Sequence, residues 1–221
     1  ISHIKSICER LHKDFGCKVF HLPLSSSNKN FNQINKHINS LGNRSVNLVA
    51  LGSWNDIADN NFNNRGGPAI DGLVTQLLDA NCDIRFSMRT KVALGCRDKY
   101  PEKVDLYPNY QEPHKIQEIL SQGDIFLLPS VQVHSISLVE AMSYGMPCIV
   151  SDGWGMDEFC NGINSISIHN FDEIKETIQT PEKLKLKRIN TLAFYRTNYS
   201  RANHIKNIKN ILCKGVLCAN S

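Results

Sequence analysis

The sequence predicts an α/β fold, a doubly wound, Rossmann-like parallel sheet of about six strands with helices on both faces. Three observations predict it. The short apolar runs are continuous rather than alternating, as in strands buried on both faces. They alternate along the chain with segments of helical periodicity, the pattern of βα units. Gly52, Pro68 and Gly123 punctuate the junctions. Right-handed crossovers between parallel strands then wind the sheet in both directions.

ISHIKSICERLHKDFG (1–16) reads as a helix with Ile4, Ile7 and Leu11 on one face, and CKVFHLPL (17–24) as a strand. SSSNKNFNQINKHINSLGNR (25–44) is polar and asparagine-rich, a connector or a loosely packed helix. VNLVALG (46–52) is the first strand of the main sheet. In PAIDGLVTQLLDAN (68–81), Ile70, Leu73, Val74, Leu77 and Leu78 fall at helical spacing, and Pro68 suits the first turn. DIRFSM (83–88) and KVDLY (103–107) are strands two and three. HKIQEILSQG (114–123) is an amphipathic helix stopped by Gly123, followed by strand four, DIFLLP (124–129). SLVEAMSYG (137–145) is a helix, PCIVSD (147–152) strand five and NSISI (164–168) strand six. Helices are expected at 171–179, 181–197 and 200–212. The chain divides into an approach helix, strand and connector (1–41), a Rossmann-like domain (42–180) and C-terminal helices (181–221).

A length of 221 residues accommodates one α/β domain, or one domain and a fragment of another. The formal charge of +4 is too mild to argue for nucleic acid, and leaves an anionic small ligand or peripheral contact with an acidic lipid surface open. KLKLKR (183–188) reads as a solvated helix face. The eight cysteines are scattered, without C-x-x-C or zinc spacing. Cys82, Cys96 and Cys148 lie in or beside apolar segments as small hydrophobes. This usage points to a reducing compartment, hence a cytoplasmic location, with any membrane association at the cytoplasmic face. NRS (43–45) and NYS (198–200) match the glycosylation acceptor pattern, which is short enough to arise by chance. No run is long and apolar enough to span a bilayer.

Ligands of open parallel sheets bind at the carboxyl ends of the strands. After strand one come Gly52, Ser53 and an asparagine-rich loop ending in Arg65-Gly66-Gly67 before a helix. A cation, free N–H groups and a helix start suit a phosphate; Gly66-Gly67 equally suits a plain turn before Pro68. After strand two, Arg89 is a second cation at the same sheet edge or an exposed loop arginine. After strand four, a polar run (132–137) leads into a helix whose start, with Ser135, Ser137 and Leu138, offers N–H donors to the same crevice. Ser137-x-x-Glu140 fits a capping box. Alternatively, Glu140 accepts hydrogen bonds from paired hydroxyls, as an acid does on a nucleotide ribose.

Taken in order, VNLVALGSW, NNRGGPAIDGLVTQLLDA, KVDLYPNYQEPHKIQEILSQGDIFLLPS and SLVEAMSYGMPCIVSDGWGMDEF resemble the C-terminal, donor-binding domain of GT-B glycosyltransferases, in the large retaining group 1, family 4-like set. The similarity covers roughly residues 17–168. It implies transfer of a sugar from a UDP-, GDP- or ADP-sugar to an acceptor glycan or lipid, with retention, no bound metal and no further cofactor. The absence of a D-x-D triplet agrees with the absence of a bound metal. It also implies a second half, an N-terminal acceptor domain or a partner chain. The family's pair of acids, with seven residues between them, falls on Gln132 and Glu140, so the sugar-contacting acid is an amide here and the ribose-holding acid is present. Val133-His134-Ser135 stands where the family has Gly-Phe-Gly, and Gln132 and His134 become the candidates for contact with the sugar. Ser53 replaces the family's arginine beside Gly52, Arg65 matches its lysine, Arg89 is the candidate substitute cation, and Tyr107 or Pro108 borders the base. Two rivals remain: a catalytically degenerate domain that binds a nucleotide or a partner, and a GT-B-like epimerase. An ordinary dinucleotide enzyme lacks its G-x-G-x-x-G after strand one.

Overall fold

The structure, a computed structural model, describes residues 5–16, 22, 31–51, 61–108, 112–130, 135–152, 156 and 159–219. Six parallel strands, β1 (Val46–Ala50), β2 (Ile84–Met88), β3 (Val104–Leu106), β4 (Ile125–Leu128), β5 (Cys148–Val150) and β6 (Ser165–Ser167), form one sheet in the order β3-β2-β1-β4-β5-β6. The strand order reverses between β1 and β4, which opens a crevice beyond their carboxyl ends. The predicted Rossmann-like parallel sheet is therefore found.

Apolar continuity explains the core. All four residues of β4 and all three of β5 are buried, so neither strand has a solvent face. Leu48, Phe86, Ile125, Leu127 and Ile149 form the centre with Ile70, Leu73, Val74, Leu77 and Leu78 of α4 (Gly67–Asp79). The other helices are α1 (Lys5–Phe15), α2 (Phe31–Asn39), α3 (Asn61–Asn64), α5 (Gly95–Lys99), α6 (Pro113–Gln122), α7 (Ser135–Ser143), α8 (Phe171–Gln179), α9 (Pro181–Asn198) and α10 (Arg201–Ala219).

Three elements differ from expectation. The polar stretch before β1 is well packed over α2, because Ile34, Ile38 and Leu41 align at i, i+4 and i+7 and are buried. Helix α7 begins at Ser135, two residues before Ser137. Helix α5 was not foreseen, because its cap comes from another helix: the Asp71 carboxylate of α4 accepts the N–H groups of Gly95 (2.9 Å) and Cys96 (2.8 Å). Apart from Leu22, the strand expected at 17–24 lies outside the described residues. Among the described residues no helix is long and apolar enough to cross a membrane.

A buried carboxylate ties the opposite, amino-terminal edge of the sheet. Asp124 is fully buried and accepts two hydrogen bonds from Arg44, at 2.6 and 2.8 Å, and one from the Asn47 N–H at 2.9 Å. The buried Arg188 of α9 also donates to Asp124, and His37 Nε2 of α2 lies 3.1 Å away. Arg188 donates a further bond, 3.0 Å, to the Tyr144 carbonyl after α7. Burial alone would push the Asp124 carboxyl up; the hydrogen bonds from Arg44 and His37 and the charges of Arg188 and Arg44 outweigh it and hold the group well below 3.8. One side chain thus joins α2, β1, β4 and α9.

Candidate functional site

The switch point between β1 and β4 is built on a glycine turn. Gly66 caps α4 with φ 79° and ψ 26°, and Pro68 follows in the first turn. A Cβ on Gly66 would stand 2.2 Å from the Pro129 carbonyl oxygen, and one on Gly67 would stand 2.3 Å from the Phe62 ring. Only glycine lets this turn sit against the end of β4. The Ser130 hydroxyl donates to the Asn64 carbonyl at 3.2 Å, and the Ser151 hydroxyl to the Ser130 carbonyl at 2.6 Å, which fastens the β1–α4 connection to the ends of β4 and β5. Gly66→Ala is therefore expected to cost about 1–3 kcal/mol from backbone strain alone, with the carbonyl contact adding to it; urea denaturation measures the loss.

Arg65 rides on this turn, half-buried. Its pKa is lowered from the usual guanidinium range, first by burial and second by the positive charge of Arg89. The Arg89 charge disfavours the charged form of Arg65. Arg89 is held at the end of β1, where its backbone N–H donates to the Ala50 carbonyl at 3.1 Å.

Arg89, Ser137 and Glu140 share one cleft of about 150 Å³. Leu51, Ile116, Leu120 and Phe126 supply its apolar floor. Ligand pockets usually enclose roughly 300–1,000 Å³, so this cleft has the size of one wall of a site. Glu140 lies in the second turn of α7 and is half-buried. Because the helix starts at Ser135, Ser137 sits inside the first turn rather than at the cap, and the capping-box geometry is not the one adopted. One turn on, the Tyr144 phenol is pushed up to about 12, first by burial and then by the Glu140 charge.

The structure thus brings Arg65, Arg89, Ser137 and Glu140 to one sheet edge. Tyr107 follows β3 at the same edge, its N–H donating to the Met88 carbonyl at 2.9 Å. Leu138 is fully buried, its side chain in the core. Gly52, Ser53, Gln132 and His134 lie outside the described residues, and Ser135 enters only as the first residue of α7. The apolar floor escaped the sequence reading, because Ile116 and Leu120 carry the same helical periodicity whether they face core or cleft. Among the described residues no group of three His, Cys, Asp or Glu side chains is placed to hold a metal ion.

Residues 88–181 match the family described as glycosyl transferases group 1. The matched segment contains Arg89, Tyr107, Ser137 and Glu140. Solved glycosyltransferases share the fold at low identity. A glycosyltransferase from Rickettsia africae ESF-5 superposes with a TM-score of 0.64 at 12% identity, over 99% of this chain and 63% of that one. The pneumococcal O-GlcNAc transferase GtfA, in complex with UDP and GlcNAc, gives 0.64 at 14% identity, over 94% of this chain and 42% of that one. Sucrose-phosphate synthase from Thermosynechococcus elongatus gives 0.65 at 11% identity, over 96% and 57%. The chain spans between 42% and 63% of the length of these three proteins. No curated relative matches in sequence. The resemblance to a GT-B glycosyltransferase half-domain, expected from the motifs, is thus met by both the family match and the fold.

Proposed function

We propose that this domain binds the donor of a glycosyl transfer, a nucleotide-sugar, and passes its sugar to an acceptor glycan or lipid with retention of configuration. The observation that carries this proposal is the convergence of Arg89, Ser137 and Glu140 on one cleft, with Arg65 repelled by Arg89 beside it. Arg65 and Arg89 hold the diphosphate and stabilise the charge that develops on it as the sugar departs. The N–H groups at the start of α7 aim at the same charge. The Glu140 carboxylate accepts both ribose hydroxyls, and Tyr107 borders the base. Gln132 and His134 meet the sugar. The 42–180 segment is the donor half, and a second domain or a partner chain supplies the acceptor half, so that the small cleft becomes one wall of an interdomain site. The solved complex of GtfA with UDP and GlcNAc supports the donor class.

A degenerate binding domain is the second reading, favoured by Gln132 and Ser53 standing where the family has charged groups. An amide cannot offset charge on an oxocarbenium-like transition state.

Thermal-shift titration with UDP, GDP, ADP and their sugars tests the shared step. One nucleotide series is expected to raise stability by about 2.7 kcal/mol at a hundredfold excess over Kd. Binding of none would sink the donor reading. Release of free nucleotide from the bound sugar donor then separates transfer from binding alone.

A further inference from the structure

Arg65 and Arg89 come from two separate connections, β1–α4 and β2–α5, and their like charges oppose each other. Asp71 ties these connections together. Arg65 stands six positions before Asp71, and Arg89 six positions before Gly95, the first residue of α5. Across that gap the Asp71 carboxylate accepts the N–H groups of Gly95 and Cys96, at 2.9 and 2.8 Å. The Cys96 thiol also bonds to it, and is pushed above the usual thiol range first by burial and second by that bond. Helix α5 has only five residues, and its N-cap, Leu94, provides no side-chain acceptor. So short a helix does not hold by itself in water, and Asp71 fixes its first turn. The loop from Arg89 to α5 is braced as well: the Arg89 N–H donates to the Ala50 carbonyl at 3.1 Å, the Val92 N–H to the Thr90 hydroxyl at 3.0 Å, and Leu94 is buried.

We propose that Asp71 is a positioning residue for the donor diphosphate: by clamping α5 to α4 it sets the spacing between Arg65 and Arg89. The inference rests on the donor binding proposed above and adds what prepares its two cations. Asp71 acts through backbone atoms and touches no ligand. Two guanidiniums held at a fixed spacing need no free energy at the moment of binding to be brought together against their repulsion. Without the clamp, α5 loses its cap, and the arginines part.

Calorimetric titration of the full chain with UDP, GDP and ADP, and with the matching nucleosides in competition, tests it. Asp71→Ala is expected to weaken the diphosphate that binds wild type by about tenfold, within the range for groups coupled in one hydrogen-bond network, and to leave the nucleoside unchanged. Asp71→Ala combined with Arg89→Ala is expected to bind no more weakly than Arg89→Ala alone, since a clamp has nothing left to position. Asp71→Asn keeps one acceptor oxygen and is expected to lose less; it carries the test if Asp71→Ala does not fold. Asp79→Ala removes the contacts with Lys99 and Tyr100 at the far ends of the same two helices and is expected to leave diphosphate affinity as it was. Wild-type affinity in both Asp71 variants, an equal loss for nucleoside and diphosphate, an equal loss in Asp79→Ala, or full additivity with Arg89→Ala would overturn the clamp and leave donor binding standing. A wild type that binds none of the three diphosphates would overturn both.

Discussion

Asp124→Asn is expected to remove about 3–5 kcal/mol of stability, the usual cost of breaking a buried ion pair from one side. For a chain of this length such a loss lowers the thermal midpoint by roughly 10 °C. The wild-type carboxylate is fully buried and neutralises Arg44 and Arg188 together. Replacing it with an amide leaves Arg188 buried without a counter-charge, although burial already pushes that guanidinium down to about 10 with Asp124 present. Arg188→Met is expected to cost less, because Asp124 keeps Arg44 and the Asn47 N–H, and the Met fills apolar volume. The same carboxylate sets an acid limit. Its pKa is lower folded than unfolded, so its contribution is fully present above the unfolded value of about 3.9 and is lost as pH falls further through the folded value. Between pH 7 and 5 the wild type should hold its stability on this account, and below about pH 4 the gap between wild type and Asp124→Asn should close. Urea denaturation across that range measures both. An Asp124→Asn protein as stable as wild type at neutral pH would contradict the structural role.

How much of this was legible beforehand depends on the range of the interaction. The six strands and α4 could be read because buried parallel strands write continuous apolar runs, and a helix on a sheet writes its 3.6-residue period. The glycine turn at 66–67 was visible, but not its reason: the close approach to the Pro129 carbonyl joins positions more than sixty residues apart. Asp124 was legible only as a motif residue, because Arg44, His37 and Arg188 reach it from three separate segments. Helix α5 was missed for the same reason, its cap being Asp71 on another helix. Ser137-x-x-Glu140 shows the opposite failure. A local pattern suggested a capping box, and the chain entered the helix two residues earlier. The candidate site was legible as a set of cations and one acid after successive strands, since fold topology alone gathers strand ends. Its apolar floor was not, for no local signal separates a cleft-facing leucine from a core one.

Glu140→Ala is expected to weaken nucleotide binding by roughly 10–100-fold, the range for losing hydrogen bonds to a charged group. If the carboxylate holds both ribose hydroxyls, the loss appears with the free nucleotide as much as with its sugar. Gln132→Ala should then leave free-nucleotide affinity nearly unchanged and act only when the sugar is attached. Titration of both variants with the diphosphate and with the sugar donor separates the two positions. Equal losses with the free nucleotide would contradict the ribose assignment. Tyr144 gives an internal control on the state of the variant. The Glu140 charge helps push its phenol up, second to burial, so in Glu140→Ala its ultraviolet titration should move down part of the way towards 10 while burial keeps it above that value. A phenol that moves down only part of the way, together with weaker binding, shows that a charge was lost and the helix was not. On this footing Gln132→Glu becomes the informative gain. An acid at that position would face the sugar with the charge that the amide lacks, so sugar release should quicken while nucleotide affinity stays the same. If affinity holds and no sugar is released by either protein, the domain binds its donor without acting on it.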